Sequence, residues 1–262
     1  MPKYKLLALD LDGTLLTDEK EISQNTKIWI RRAVQEGVTV IFATGRGWPR
    51  TERYWKELNL LDSPMVLLNG AELWKWPGEL LKRHFIDPKD IRWLYHLAMS
   101  KEAGFWGYNI EGFVRKPNWT KEMFHQKWMK FGIRHENPIV AAELKEQIAM
   151  RPGLEVVSSS TNSMEISLRG ITKESGTRDI VEFLGIEMED VMAVGDSPND
   201  LRLIRAAGLG VAMGNAVEEV KEAADRMTAS NNQDGVAEAI QRYLFGYRQE
   251  LPLIEETRLG EL

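Results

Sequence analysis

The sequence predicts an α/β protein, a parallel sheet that is interrupted by an α+β insertion and then resumed. Three observations predict it. Short unbroken apolar runs alternate with segments of helical periodicity up to about residue 68, the pattern of doubly buried strands joined by helices. Hairpin and cap signals replace that pattern in mid-chain, and the first pattern returns after Gly170. At 262 residues the chain is long enough for a sizeable core and a second unit.

The first strand is Leu6-Leu7-Ala8-Leu9, running into Asp10, Asp12 and Gly13. Alternation along a strand puts Asp10 and Asp12 on one side if the extended geometry persists, and Asp12-Gly13 starts a turn. Ile22, Ile28, Ile30 and Val34 lie at near-helical spacing and predict a helix stopped at Gly37. The run from Val38 to Ala43 is the second strand and ends in Thr44-Gly45-Arg46. A helix over about 49–60 and a strand over 65–68 continue a parallel sheet with right-handed crossovers. Residues 71–85 read as a hairpin around Pro77-Gly78. Asp87-Pro88 starts a helix, as cap and first-turn proline, and Gly104 stops it.

A second hairpin over 105–116, a helix over 120–132 and strands over 155–159 and 164–168 complete the insertion. A helix over 173–184, strands over 191–194 and 209–213, and helices near 217–223 and 236–243 restore the frame. The expected boundaries are a core of 1–82 and 170–245, an insertion of 83–169, and a tail of 246–262 without clear periodicity, either loose or lying against a partner.

Composition narrows the function. The formal charge is 34 − 39 = −5 and no basic stretch stands out, so no nucleic-acid partner is expected. The absence of cysteine removes disulfides, thiol nucleophiles and zinc–cysteine sites together. No apolar run approaches the roughly 20 residues that span a bilayer, and four apolar residues before Asp10 are too few for a secretory signal. A cytoplasmic protein, a monomer or homodimer with no membrane partner, is the expectation.

Ligands of an open α/β sheet bind at the carboxyl ends of its strands. Four strands here end in polar residues: Asp10/Asp12, Thr44-Gly45-Arg46, Asn69-Gly70 and Gly195-Asp196. Their convergence brings Asp10, Asp12, Asp196 and Asp200 into one crevice, where four carboxylates need a compensating charge. Mg²⁺ is the expected cofactor, because it is hard, takes oxygen ligands and pairs carboxylates with phosphate; zinc fits less well with no His or Cys nearby. An aspartate attacking a phosphate dianion meets repulsion of order 1–4 kcal/mol per charge pair, which a bridging metal cancels. Thr44 and Gly45 offer a hydroxyl and a backbone N–H to phosphoryl oxygens, and Lys173 a positive charge. A cation at a helix N-terminus opposes the macrodipole, so an anion should face Lys173. Asp12 is the candidate acid for the leaving oxygen and base for the attacking water.

The stretches "DLDGTLL", "ATGR", the lysine of "ITKESG" and "GDSPND", in that order, resemble the four motifs of the haloacid dehalogenase superfamily. The insertion is similar to the α+β cap of its Cof-type phosphatases, and the resemblance runs to about Phe245. It implies a Rossmann-like core under a cap domain and a Mg²⁺-dependent phosphatase acting on a small-molecule phosphate ester. It further implies Asp10 as the nucleophile that becomes an aspartyl phosphate and Asp12 as the general acid/base. Thr44, Gly45, Lys173 and Asn199 would hold the phosphoryl group. The metal would take Asp10, the Asp12 backbone carbonyl and Asp196, with Asp200 in support. The second aspartate points to phosphate and not haloalkane chemistry. Two departures are visible: Glu174 follows Lys173 where the family often has glycine, and residues 131–155 are short for this cap type, so a trimmed cap is expected.

Several residues keep two readings. Arg46 either holds its loop or touches substrate, and Asp200 either binds metal or caps the next helix. Asn69 and Trp48 are candidate substrate contacts. The nine tryptophans, all between Trp29 and Trp128, are core packing or an aromatic wall for a substrate ring. The second reading favours sugar or ring-bearing phosphates over small aliphatic ones such as phosphoglycolate. The glycines of "GLGVAMG" bracket a strand, unlike those of a dinucleotide site, and no Gly-Lys dipeptide exists for a Walker loop. A phosphomutase using the same aspartyl phosphate, and a non-catalytic binder of phosphate ligands, are the alternatives.

Overall fold

The computed structural model describes residues 2–160 and 162–247. The chain begins with β1 (Leu6–Leu9), α1 (Gln24–Gln35), β2 (Thr39–Ala43), α2 (Glu52–Glu57) and β3 (Met65–Leu67), followed by the hairpin β4 (Glu72–Trp76) and β5 (Glu79–Arg83). The insertion comprises α3 (Pro88–Ser100), β6 (Gly104–Asn109), β7 (Gly112–Arg115), β8 (Trp128–Arg134), α4 (Pro138–Ala149), β9 (Leu154–Ser160) and β10 (Ser163–Leu168). The frame then resumes with α5 (Lys173–Leu184), β11 (Val191–Gly195), α6 (Leu201–Ala206), β12 (Leu209–Ala212), α7 (Glu218–Ala223), β13 (Arg226–Met227) and α8 (Gly235–Ala239).

One sheet has the order β13-β12-β11-β1-β2-β3-β4-β5. β1 lies inside it, parallel to β2 and β11, and only β4, in the β4–β5 hairpin at one edge, runs against the other strands. The short apolar run explains β1. Leu7 and Leu9 pack with Trp29 and Ile30 of α1 on one face, while Leu6 and Ala8 pack with Ile180 of α5 on the other. A strand buried on both faces has room for polar residues only at its ends. Helix α1 starts at Ser23, whose hydroxyl accepts from the Thr26 N–H, and Gly37 follows its end at φ +85°.

The second sheet is antiparallel, order β7-β6-β8-β10-β9. Alternation gives it two characters. Phe105, Phe131, Ile133, Met164 and Ile166 join Leu94 of α3 and Leu144 of α4 in an apolar cluster. Residues of the opposite parity, among them Trp106, Tyr108, Lys130, Arg134 and Glu165, line a cavity shared with the ends of the core strands.

The insertion also holds the departures from expectation. Residues 120–132 do not form one helix: a short 3₁₀ turn over Lys121–His125 is followed by β8. Apolar side chains occur at both parities of that stretch, so its period is ambiguous, and pairing with β6 and β10 on either side decides it. Residues 131–155, read as short from the sequence, hold the end of β8, the whole of α4 and the start of β9. The helix signal was present: Asn137 caps α4, accepting from the Ile139 N–H, and Pro138 opens it. Helix α3 ends at Ser100, and Gly104 opens β6 instead of stopping the helix. Of the tail, Tyr247 packs on Trp29 and accepts a hydrogen bond from Arg32; residues 248–262 lie outside the described residues.

Candidate active site

Asp10 extends β1 by one more ladder bond, its N–H donating to the Val194 carbonyl at 3.2 Å. The chain then curls, and Leu15 and Leu16 donate back to the carbonyls of Asp10 and Leu11. Gly13 makes the curl possible twice over. Its φ is +82°, and a Cβ there would stand 2.5 Å from an Asp196 carboxylate oxygen. Asp10 and Asp12 both line the cavity, brought there by the curl and not by continued strand alternation, together with Thr44, Gly45, Arg46, Asp196 and Asn199.

The anion expected opposite Lys173 is a pair of carboxylates. Thr172 caps α5 in a reciprocal box with Ser175, which sets Lys173 as the first helical residue. Its ammonium is fully buried and donates to Asp10 Oδ1 and Asp200 Oδ1, both at 2.7 Å. Burial alone would depress the Lys173 pKa, and the two carboxylates outweigh that and raise it. Lys173 is absent from the cavity lining and stands behind Asp10. Glu174, the departure from the family pattern, turns to Arg178 one turn on.

Asp196 accepts from the hydroxyls of Thr14 and Ser197, both at 2.8 Å. Asp200 is heavily engaged: beside the Lys173 bond to Oδ1, its second oxygen accepts the N–H groups of Asp196 and Ser197 at 3.1 Å. It therefore caps the turn over Pro198–Asp200, not α6 as the sequence suggested. Asp10, Asp196 and Asp200 each present one oxygen within 4.8 Å of the others. Burial and the neighbouring carboxylates push Asp10 up to about 8, against the pull of Lys173, and burial with Asp200 raises Asp196. With all three ionised, one ammonium would leave two negative charges uncompensated, so the donor set fits a hard divalent cation.

Asp12 stands apart from that cluster. Arg46 grips it with two hydrogen bonds of 2.6 Å, and Lys20 lies 3.0 Å away. Burial works against ionisation there, and these cations outweigh it, holding Asp12 at about 2. Arg46 thus holds its loop, also reaching the Arg50 carbonyl at 3.2 Å, while lining the cavity. The Thr44 hydroxyl accepts the Arg46 N–H at 3.2 Å, which leaves its own proton free to donate.

Two sequence candidates lie elsewhere. Trp48 packs on Trp55 and Trp74 and does not line the cavity. Asn69, buried at φ +57°, bridges Glu165 at 2.8 Å and Asn199 at 3.3 Å, again off the wall. The residues missed are Lys130 and Glu165. The Lys130 ammonium, 2.5 Å from Glu165, donates to the Gly45 carbonyl at 2.8 Å, seating the insertion on the second motif. A Cβ on Gly45 would lie 3.1 Å from Glu165, and one on Gly47 would lie 2.8 Å from the Tyr108 ring. A lysine inside the apolar run "WMKFGI" was the only local signal.

The family model for haloacid dehalogenase-like hydrolases matches residues 7–138 and 111–240. The chain belongs to that family. It is 38% identical to a 5-amino-6-(5-phospho-D-ribitylamino)uracil phosphatase of Bacillus subtilis, over 92% of this chain and 96% of that one. A pyridoxal phosphate phosphatase of Escherichia coli is 27% identical, over 92% and 98%. The crystal structure of a haloacid dehalogenase-like hydrolase from Bacteroides thetaiotaomicron superposes with a TM-score of 0.79 at 29% identity, over 92% and 99%. The chain is an enzyme of the phosphatase kind within this family. Among the described residues no helix is long and apolar enough to cross a membrane.

Proposed function

We propose that this hydrolase cleaves small phosphate monoesters through an aspartyl phosphate on Asp10, with Mg²⁺ as cofactor. The observation that carries the reading is the Asp10 carboxylate, held at the cavity by buried Lys173 and clustered with Asp196. Asp10 and Asp196 would hold the metal directly, with the Asp12 carbonyl, and Asp200, bonded to Lys173 and to two backbone N–H groups, would support them by keeping the loop and Lys173 in place. When bound, Mg²⁺ supplies the charge that lets an ionised carboxylate approach a phosphate dianion.

Asp10 attacks phosphorus as the ester P–O bond breaks, and Asp12 gives its proton to the departing oxygen. Asp12 then takes a proton from water, whose oxygen attacks the acyl phosphate and frees phosphate and Asp10. Thr44 Oγ1, the Gly45 N–H and Asn199 hold the phosphoryl oxygens. Clamped by Arg46, Asp12 cannot donate a proton. A phosphate dianion beside it reverses both conditions, drawing off the guanidinium and raising the carboxyl by like-charge repulsion.

The substrates we infer carry a ring or polyol on the leaving oxygen. A cavity of about 1180 Å³ with Trp106, Tyr108 and Phe113 in its wall supports this, as does the ribitylaminouracil substrate in the relative's name. The test is phosphate release from sugar, nucleotide, cofactor and aliphatic phosphates, with Mg²⁺ and with chelator. Release should need Mg²⁺, favour ring- or polyol-bearing esters and fall at least about 10³-fold in Asp10→Asn. Undiminished turnover in that variant would sink the mechanism, and phosphoglycolate as the best substrate would sink the substrate class.

A further inference from the structure

Eight of the nine tryptophans are engaged with a neighbouring ring or cation. Trp29 meets Phe245 and Tyr247, Trp48 meets Trp55 and Trp74, Trp76 meets Phe183, Trp119 stacks on Trp128, and Arg151 covers Trp93. Trp106 is the exception among the described residues. It is half-buried and lines the cavity that holds Asp10 and Asp12.

Its position is built. On β6 it pairs in register with Gly132 of β8. A Cβ on Gly132 would come within 2.1–2.5 Å of the indole atoms Cε2, Cζ2 and Nε1. The glycine is therefore what lets the ring lie across the middle of the sheet. The same row continues to Glu165 of β10, whose carboxylate reaches the second motif through Lys130 and Asn69. The indole is thus fixed, by strand pairing, to the wall that closes over the phosphoryl site.

We propose that Trp106, laid over Gly132, is the platform on which a planar ring in the leaving group stacks. This rests on the phosphatase reading and deepens it, since stacking would select ring-bearing esters over open-chain ones. An aromatic face binds any flat π-system, and loss of one such contact typically weakens binding about 5- to 100-fold.

The test uses two compounds that share one phosphorylated polyol. These are 5-amino-6-(5-phospho-D-ribitylamino)uracil, which has a ring, and D-ribitol 5-phosphate, which has none. In Trp106→Ala, kcat/KM for the ringed compound should fall about 5- to 100-fold, carried by KM, with the open-chain compound unchanged within about twofold. Trp106→Phe, which keeps a smaller platform, should recover most of the loss, and the open-chain substrate reports folding in both variants. Equal losses on the two compounds, or no loss on the ringed one, would overturn the proposal. If the wild type hydrolyses neither compound, the proposed substrate class fails and calorimetric titration of the same pair decides the platform. Tighter binding of the ringed compound that Trp106→Ala abolishes upholds it, and equal or undetectable binding overturns it.

Discussion

Lys173 and Asp10 are partners of opposite energetic sign. Lys173 is the single ammonium buried among three carboxylates. Removing one member of a buried ion network strands the charges that remain, at a cost of about 3–5 kcal/mol. Lys173→Met should therefore lose about that much stability in urea unfolding and lose turnover as well. Without the ammonium, burial and Asp200 push the Asp10 carboxyl still further from ionisation. Above about pH 8, where Asp10 is ionised, Asp10→Asn removes one of the crowded negative charges and should unfold at the same urea concentration as the wild type or a higher one in metal-free buffer. Equal destabilisation by the two substitutions would mean that the carboxylates are not in excess.

At the scale of elements, α5 is the part that delivers the lysine. Its first turn is fixed by the Thr172–Ser175 box, and Gly70 packs so closely that a Cβ there would meet the Thr172 carbonyl at 2.2 Å. Thr172→Ala should cost about 1 kcal/mol of stability, the usual value of a lost cap. It should lower kcat by more than that loss explains, because a frayed first turn moves the ammonium off Asp10. Chemical denaturation and steady-state kinetics on the same preparation separate the two effects. The family often has glycine after this lysine; here Glu174 points away to Arg178, and the tight contact with Val66 and Gly70 falls on Gly176.

For the whole molecule, the uncompensated charge makes stability depend on pH and metal together. The Asp10 carboxyl sits at about 8 in the folded, metal-free protein, against an ordinary value of 3.8. Between those values the folded state binds a proton that the unfolded chain has released, so stability falls as pH rises from about 4 to about 8. A divalent ion stabilises the ionised carboxylate and should restore what is lost. The melting temperature in chelator should therefore decline across that window, and the gain from Mg²⁺ should be largest above pH 8. A Mg²⁺ gain that is flat with pH would remove Asp10 from the ligand set.

The core and its four strand ends could be read directly because their determinants are local. Leu6–Leu9 and Val191–Gly195 are buried on both faces, so Asp10 and Asp196 could only follow them. The polar strand ends thus announce themselves in short stretches of chain. The wall facing them does not. Lys130, Glu165 and Trp106 look like ordinary strand residues, and Trp48, beside the second motif, looked the better aromatic. Which tryptophan faces the crevice was settled by the pairing of β6, β8 and β10, strands far apart in the chain. Pairing sets the face each side chain takes, and a shift of one residue would exchange Trp106 for the core phenylalanine Phe105. The polar strand ends of the core were legible from the sequence by itself, and only the tertiary structure decided what the opposite wall presents to them, because side-chain parity in a sheet is a property of its neighbours.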